Sequence, residues 1–321
     1  MTRDGMRTAV IGAGTMGTGI AQCLADHGLA VTLQDVDGDV LARSLEQMSD
    51  NRRVLLEAGL LSPQMAEESP WLIRTTTSLE EATTRIDLLF EAVPEDLSLK
   101  RDLYRRLDRL CDPHVSFASN TSGLSITQIA SATNRPERVA GFHWWNPAHL
   151  VPLVEIIQGE QTASTLIEQL LSLARNLGKR PVHVRRDVPG FVGNRLQFAV
   201  FREAMHLVEQ GIVSPEDVDL AMTCGPGFRW AFLGPLRSAD FGGLDVFHNI
   251  CSYLWPELSN ATSAPPGLTD RIESGQLGTK SGAGFYRYDR HELADWTGRR
   301  DEFLVGLRKL TESLQNKADG S

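Results

Sequence analysis

Thr8-Ala9-Val10-Ile11-Gly12-Ala13-Gly14-Thr15-Met16-Gly17 decides the fold of this chain. The apolar run Thr8 to Ile11 predicts a buried strand, and Gly12 ends it. Met16, Ile20 and Leu24 then recur at a spacing of four, the face of a helix that closes around His27-Gly28. Between strand and helix stands G-x-G-x-x-G, whose glycines permit a tight turn and let the backbone approach a pyrophosphate at the helix N-terminus. Three spaced glycines also arise by chance in loops, so the context has to carry the motif. A second strand, Ala30 to Gln34, ends at Asp35, near the separation of about twenty residues that a ribose-binding carboxylate needs. That carboxylate repels a 2′-phosphate, Asp37 adds to the repulsion, and no Arg follows directly. The stretch therefore predicts NAD rather than NADP, contacted by Gly12, Gly14, Thr15, Met16, Gly17 and Asp35. FAD, which uses the same opening, is the rival, and a glycine-rich turn beside a surface aspartate is the bland alternative.

Working outward, further strands are predicted at Leu88 to Glu91, Val115 to Ala118, Val139 to His143, Leu153 to Ile157 and Pro181 to Val184. Helical patterns lie between most of them, for example a polar helix at Asp39 to Ala58 and Thr165 to Leu177. Strands alternating with helices predict a mostly parallel, doubly wound sheet of the Rossmann type. Beyond Arg185 to Pro189 the character changes. Leu196, Val200, Ala204 and Val208 make one long amphipathic helix, and Ser214-Pro215-Glu216-Asp217 is a helix start with a Ser cap and Pro in the first position. The expected architecture is an α/β domain over residues 1–186 followed by an all-α domain over 187–321.

Composition narrows the partners. A length of 321 residues suits two domains, and 41% hydrophobic with 23% charged residues is the balance of a globular protein. The net charge of -9 supplies no basic surplus for a phosphate backbone, so no nucleic-acid partner is expected. The 4 cysteines are scattered without a C-x-x-C pair, which argues against a zinc site and for a reducing compartment. No apolar run reaches the ~18 residues of a membrane span. Met1 to Arg7 is polar and unlike a signal peptide. A cytoplasmic location with no membrane association and no metal is expected.

The chemistry is sought where the sheet continues past the cofactor half. His143 ends a strand in Gly141-Phe142-His143-Trp144-Trp145-Asn146-Pro147, and Glu155 lies inside the apolar run Pro152 to Ile157. A carboxylate in such a run needs a partner, because an unpaired buried charge is costly. Bonded to one ring nitrogen of a histidine, it would fix the tautomer and raise the basicity of the other nitrogen. That is what a general base needs to take a proton from an alcohol. His149 is an alternative partner that spacing alone does not exclude. Read alone, Ser122 is a turn serine, Asn194 a helix-start residue, Lys100 a solvated helix charge and Lys280 a turn lysine.

Several longer motifs occur in order: Glu91-Ala92-Val93-Pro94-Glu95-Asp96, Ser119-Asn120-Thr121-Ser122, the His143 to Pro147 segment, Leu153-Val154-Glu155, Pro189-Gly190-Phe191-Val192-Gly193-Asn194-Arg195 and Lys280-Ser281-Gly282-Ala283-Gly284-Phe285-Tyr286. With the glycine fingerprint they make the chain resemble the L-3-hydroxyacyl-CoA dehydrogenase family, including its 3-hydroxybutyryl-CoA and L-gulonate/lambda-crystallin branches. The resemblance implies that His143 is the base and Glu155 its orienting carboxylate. It implies that Ser122 and Asn194 hold the substrate's hydroxyl and carbonyl, with Asn146 beside them. Glu95, Lys100, Asn120, Ser122 and Lys280 match positions on the cofactor's nicotinamide side. A small 3-hydroxyacyl substrate, a place in fatty acid metabolism and a homodimer formed through the helical domain are further implications.

The resemblance puts an L-3-hydroxyacyl-CoA thioester, interconverted with its 3-ketoacyl-CoA, first as the substrate. Relatives acting on CoA thioesters carry a lysine-rich helix after the second strand. Here Ser44 to Ser62 offers Arg52 and Arg53 as the only cations, two candidates for a CoA phosphate. Trp144 and Trp145 are expected to crowd an acyl pocket and favour a short chain, core packing being the plainer role for paired aromatics. A free 3-hydroxy acid, as in the L-gulonate branch, is the first alternative. A non-catalytic NAD-binding protein is the second, and the intact His143, Glu155, Ser122 and Asn194 set argues against it.

Overall fold

The structure, a computed structural model, describes residues 5–319, with side chains as far as Leu314. The polar start read at Met1 to Arg7 therefore lies partly outside the described residues. In chain order the first part runs β1 (Arg7–Ile11), α1 (Thr15–Asp26), β2 (Ala30–Gln34), α2 (Gly38–Glu57), α3 (Pro63–Glu68), β3 (Ile73–Thr76), α4 (Leu79–Ala82) and β4 (Leu88–Glu91). It continues with α5 (Leu97–Leu110), β5 (Ser116–Ser119), α6 (Ile126–Ala130), β6 (Val139–Trp144), β7 (Leu153–Ile157), α7 (Ser164–Asn176) and β8 (Arg180–Val184). The second part is α8 (Gly193–Glu209), α9 (Pro215–Cys224), α10 (Pro226–Gly242), α11 (Leu244–Leu254), α12 (Pro266–Glu273) and α13 (Arg290–Asp319).

Among the described residues the strands form one eight-stranded sheet in the order β3-β2-β1-β4-β5-β6-β7-β8. All neighbours are parallel except β6 and β7. The strand order reverses between β1 and β4, and in such sheets ligands lie beyond the carboxyl ends at that switch point. Two apolar clusters cover the two faces, one centred on Ile20, Leu24, Phe90 and Phe142, the other on Leu89, Tyr104, Phe117 and Ile129. A sheet buried on both faces explains why β1, β4 and β6 read as continuous apolar runs rather than alternating ones. The edge strand β3 was not legible: Ile73-Arg74-Thr75-Thr76 is only half-buried and lacks an apolar run.

The chain divides into compact units Met1–Arg195 and Leu196–Ser321, so the division falls inside α8, beyond the change of composition at residues 185–189. In the second unit, Ser214 caps α9 by accepting from the Asp217 amide, with Pro215 in the first turn. Isolated antiparallel bridges at Gly278, Ala283 and Arg287 are the strand-like pairing among its described residues. No helix of the described residues is long and apolar enough to cross a membrane.

Candidate active site

The turn after β1 is built for a close ligand. Gly12 adopts φ +95°, and a Cβ there would lie 2.7 Å from the Ala92 carbonyl oxygen. A Cβ on Gly17 would lie 1.7 Å from the Gly12 carbonyl oxygen, so the first turn of α1 packs on the glycine turn only without a side chain. Gly14 is different: a Cβ there meets nothing within 4 Å, and it caps α1 with no side-chain hydrogen bond. The helix thus starts with unclaimed amides facing open space, and no acidic residue stands in its first turn. Thr15 is exposed and Met16 half-buried at that opening. Asp35, just past β2, accepts from the Ala13 amide (2.8 Å) through Oδ2 and from the Asp37 amide (3.1 Å) through Oδ1. Its carboxylate is therefore pinned beside the glycine turn, with lone pairs left for ribose hydroxyls. These features fit a dinucleotide.

Across the switch point, a buried ion pair organises the next loops. Lys100, 1% exposed, reaches Glu91 Oε1 (2.6 Å), the Val93 carbonyl (3.2 Å) and Glu95 Oε2 (3.4 Å). Glu95 Oε1 in turn accepts from the Thr121 hydroxyl (2.6 Å) and the amides of Ser122 (2.8 Å) and Gly123 (3.2 Å). Lys100 is thus too deep to be the solvated charge its helix position suggests, and it works by holding Glu95. Glu95 and Ser122 stand exposed at the rim. The Asn194 amide group donates to the Ser122 carbonyl (2.8 Å), which brings these two predicted site residues together. Asn120 is nearly buried, its Oδ1 accepting from the Trp144 amide (2.8 Å) and tying the end of β5 to β6.

His143 and Glu155 stand directly opposite each other on the antiparallel pair β6 and β7. Side chains so placed have Cβ atoms about 5 Å apart, which is why a separation of twelve residues in sequence becomes a contact. His143 Nδ1 lies 2.8 Å from Glu155 Oε2, with the residues 4% and 1% exposed. Glu155 Oε1 accepts from the amides of Val192 (2.9 Å) and Gly193 (3.0 Å), and the Trp145 indole donates to Oε2 (3.2 Å). Burial pushes the Glu155 pKa up, but the imidazole bond, the amides of Gly193 and Val192 and the imidazole's charge outweigh it. The carboxyl is held below its ordinary value, ionised beside the ring. With Nδ1 engaged by the carboxylate, Nε2 is left to take or give a proton. The partner of Glu155 is thus His143, not the alternative His149.

Residues 7–188 match the NAD-binding domain of 3-hydroxyacyl-CoA dehydrogenase, and residues 190–288 match its C-terminal domain. The chain belongs to the 3-hydroxyacyl-CoA dehydrogenase family. It is an NAD-dependent oxidoreductase. A 5-formyl-3-hydroxy-2-methylpyridine 4-carboxylate 5-dehydrogenase of Mesorhizobium japonicum is 37% identical over 96% of this chain and 98% of its own. A solved structure of an enzyme of that name superposes with a TM-score of 0.91 over 97% of this chain and 99% of that one. A probable 3-hydroxybutyryl-CoA dehydrogenase of Bacillus subtilis is 38% identical over 87% of this chain and 96% of its own. The structure of FadB2 of M. tuberculosis gives a TM-score of 0.74 at 34% identity, over 88% of this chain and 99% of that one.

Other predicted site residues fall elsewhere. Arg52 is not available to a substrate phosphate: it is 7% exposed, and its Nε bonds Asp26 Oδ1 (2.7 Å), which also takes the Ser69 hydroxyl (2.7 Å). Arg53 is exposed beside Asp50 (3.1 Å). Trp144 does not crowd an acyl pocket, because strand alternation turns it away from His143 into the core, 1% exposed, where it stacks on Phe142 at 5.2 Å. Asn146 is exposed beyond β6, and Lys280 is exposed within the second unit. Among the described residues, no group of three or more His, Cys, Asp or Glu is arranged to hold a metal.

Sequence reasoning missed the turn that holds Glu155. Gly190 and Phe191 both have positive φ, +73° and +50°. The second is a sparsely populated conformation for a bulky residue. It is kept there by burial of the Phe191 ring, whose centroid lies 5.8 Å from that of His143. The Gly-Phe-Val-Gly string was the available signal, a turn at which two successive amides converge.

Proposed function

We propose that this chain uses NAD to oxidise a small, free carboxylic acid bearing an alcohol or a hydrated aldehyde, with His143 as the general base. The observation that carries the chemistry is the Glu155 carboxylate, which accepts four hydrogen bonds and offers the imidazole a fixed tautomer. Glu155 accepts a hydrogen bond from Nδ1–H, so the unprotonated His143 Nε2 receives the proton of the reacting hydroxyl and returns it in the reverse direction. Ser122 and Asn194, joined through the Ser122 carbonyl, frame the substrate oxygen. Bound NAD supplies the hydride acceptor.

A free acid is favoured over a CoA thioester by the surface of α2. With Arg52 committed to Asp26, α2 presents Arg43 and Arg53 as its exposed cations and carries no lysine. The end-to-end match with the pyridine carboxylate enzyme, whose named substrate is a free acid, supports the same reading. The CoA thioester is the second reading, supported by the names of the Bacillus subtilis and other hydroxyacyl-CoA relatives and by exposed Arg53.

The test follows NADH formation by the purified protein with three compounds in parallel: L-3-hydroxybutyryl-CoA, L-gulonate and the pyridine aldehyde acid, each repeated with His143→Ala. Turnover of a free acid, lost in the variant, supports the reading. Turnover of the thioester alone replaces it with the CoA reading and makes Arg53 the residue to test. NAD binding without turnover of any of the three overturns the free-acid and CoA readings tested and leaves a different substrate or a non-catalytic role.

The second unit adds the assembly. Phe228, Phe232, Leu236 and Phe241 of α10 are each more than 70% exposed, a run of large apolar side chains that water disfavours. Covering it with a second copy makes the homodimer that the resemblance implies. Sedimentation of Phe232→Glu as a monomer, against a wild-type dimer, is the expected result.

A further inference from the structure

The His143–Glu155 pair has a neighbour that its chemistry has not yet used. Trp145 follows β6, half-buried, and its indole Nε1 donates to the same carboxylate oxygen, Glu155 Oε2, that the imidazole engages. The rings of Trp145 and His143 lie 5.4 Å apart at 56°. The seat for the indole is built into the opposite turn: a Cβ on Gly193 would stand 2.3 Å from the indole Cζ2. Gly193 thus does two things at once. Its amide holds Oε1 of the carboxylate, and its missing side chain admits the ring that holds Oε2.

We propose that Trp145 is a positioning residue of this dehydrogenase, whose indole N–H shares Glu155 Oε2 with His143 and thereby sets the basicity of the imidazole. The proposal rests on the reading of His143 as the base. An oxygen that already accepts one hydrogen bond is a weaker acceptor for a second, and the indole draws off part of the negative charge that would stabilise an imidazolium. Trp145 therefore keeps His143 neutral, the state in which it can take a proton, to lower pH than a bare Glu–His pair would. It also stops the carboxylate from rotating about its last bond, which keeps Nε2 aimed. Groups face the pair from each flanking element. From β6 comes His143 itself, from the turn come the Phe191 ring and the two amides, and from β8 uncharged Val182 stands opposite Glu155.

Trp145→Phe keeps a smaller aromatic ring in the seat and removes the N–H donor, so the pH midpoint rather than the overall activity is the deciding readout. Protein labelled with nitrogen-15 is titrated without NAD or substrate, and the His143 ring resonances are assigned by their absence in His143→Ala. The expected result is a His143 midpoint about half a unit higher in Trp145→Phe, the scale of one modest hydrogen bond felt differently by the two protonation states. In the wild type, the Trp145 indole resonance is expected to move with the same midpoint and to lose that movement in Glu155→Gln. With whichever substrate turns over, the acid limb of kcat/KM moves up by the same amount, whereas a merely structural role lowers kcat/KM equally at every pH. A His143 midpoint that Trp145→Phe leaves unchanged, or an indole resonance indifferent to pH, overturns the proposal. If Trp145→Phe does not fold, the wild-type indole titration decides alone. Full activity in His143→Ala would instead remove the base assignment, an outcome these titrations do not share.

Discussion

Replacing Glu155 by Gln changes one atom and leaves the volume of the site intact, so its effect isolates the carboxylate. Glu155 accepts from Val192 and Gly193 on one oxygen and from His143 and Trp145 on the other. Glutamine offers one acceptor and one NH2 group. Oriented with its oxygen toward the two amides, it presents N–H to the Trp145 N–H and to His143 Nδ1. The imidazole then answers as an acceptor at Nδ1, its proton moves to Nε2, and the base is lost; the indole N–H is left without a partner. Flipped the other way, two part-buried amides face a donor instead of one indole N–H, which costs more, so the first orientation prevails. One orphaned donor costs about 1–3 kcal/mol of stability. Loss of a positioned base costs on the order of 10²–10⁴ in turnover. The pH dependence has a definite sign. Because the folded-state pKa of Glu155 is depressed, its stabilisation is present above the unfolded value of about 4.3 and fades as pH falls through the lower folded value. Urea unfolding of wild type and Glu155→Gln should therefore show a gap at neutral pH that narrows in acid, alongside the loss of NADH formation. Unchanged turnover in Glu155→Gln would refute the dyad, and a gap that persists undiminished in acid would refute the electrostatic account of it.

Three further perturbations address the cofactor turn and the corrected arginine. Gly17→Ala forces a Cβ to within 1.7 Å of the Gly12 carbonyl oxygen, so the turn must open. NADH fluorescence titration should show affinity falling roughly tenfold or more, the equivalent of 1–3 kcal/mol of overpacking, and an unchanged Kd would be inconsistent with the packing described. Asp35→Asn keeps an acceptor near the Ala13 amide but removes the charge; the preference for NAD over NADP should narrow by roughly tenfold, and parallel titrations with the two cofactors would read it. Asp26→Ala leaves Arg52 buried without its carboxylate and should lower unfolding stability by about 3–5 kcal/mol, while Asp26→Ala with Arg52→Met regains much of it. Equal stability of the single variant and the wild type would return Arg52 to the surface as a ligand for phosphate.

What was legible in the sequence was what is local. The glycine turn needs a positive φ at Gly12 and bare contact at Gly17, and both demands are met within ten residues of chain, so the pattern carries its own geometry. Strands covered on both faces are likewise legible as apolar runs. β3 is an edge strand with a Thr-rich, half-exposed face, and such a segment differs little from a loop. Lys100 and Arg52 show the same blindness from the other side. Each sits on a helix where charge ordinarily means solvent, and each is buried because a carboxylate from a different element, Glu91 or Asp26, lies opposite.

The His143–Glu155 pair is the informative middle case. Residue types alone left His143 and His149 both open to Glu155, and the resemblance chose between them. The physical reason is the reversal of direction at β6 and β7: in an antiparallel register a contact depends on the sum of the two positions, and His143 with Glu155 has the same sum as Gly141 with Ile157 and Trp144 with Val154. Once one of those apolar pairs is placed, the His–Glu contact follows without any reference to chemistry. The corollary concerns Trp145. It lies one residue past the last paired position, where the ladder no longer dictates direction. What turns its indole back onto Glu155 is the space left by Gly193, thirty-eight residues beyond Glu155. Gly193→Ala should therefore displace the indole while leaving the β6–β7 register intact. A Trp145 that kept its bond to Glu155 in that variant would show that the strand, and not the turn, aims it.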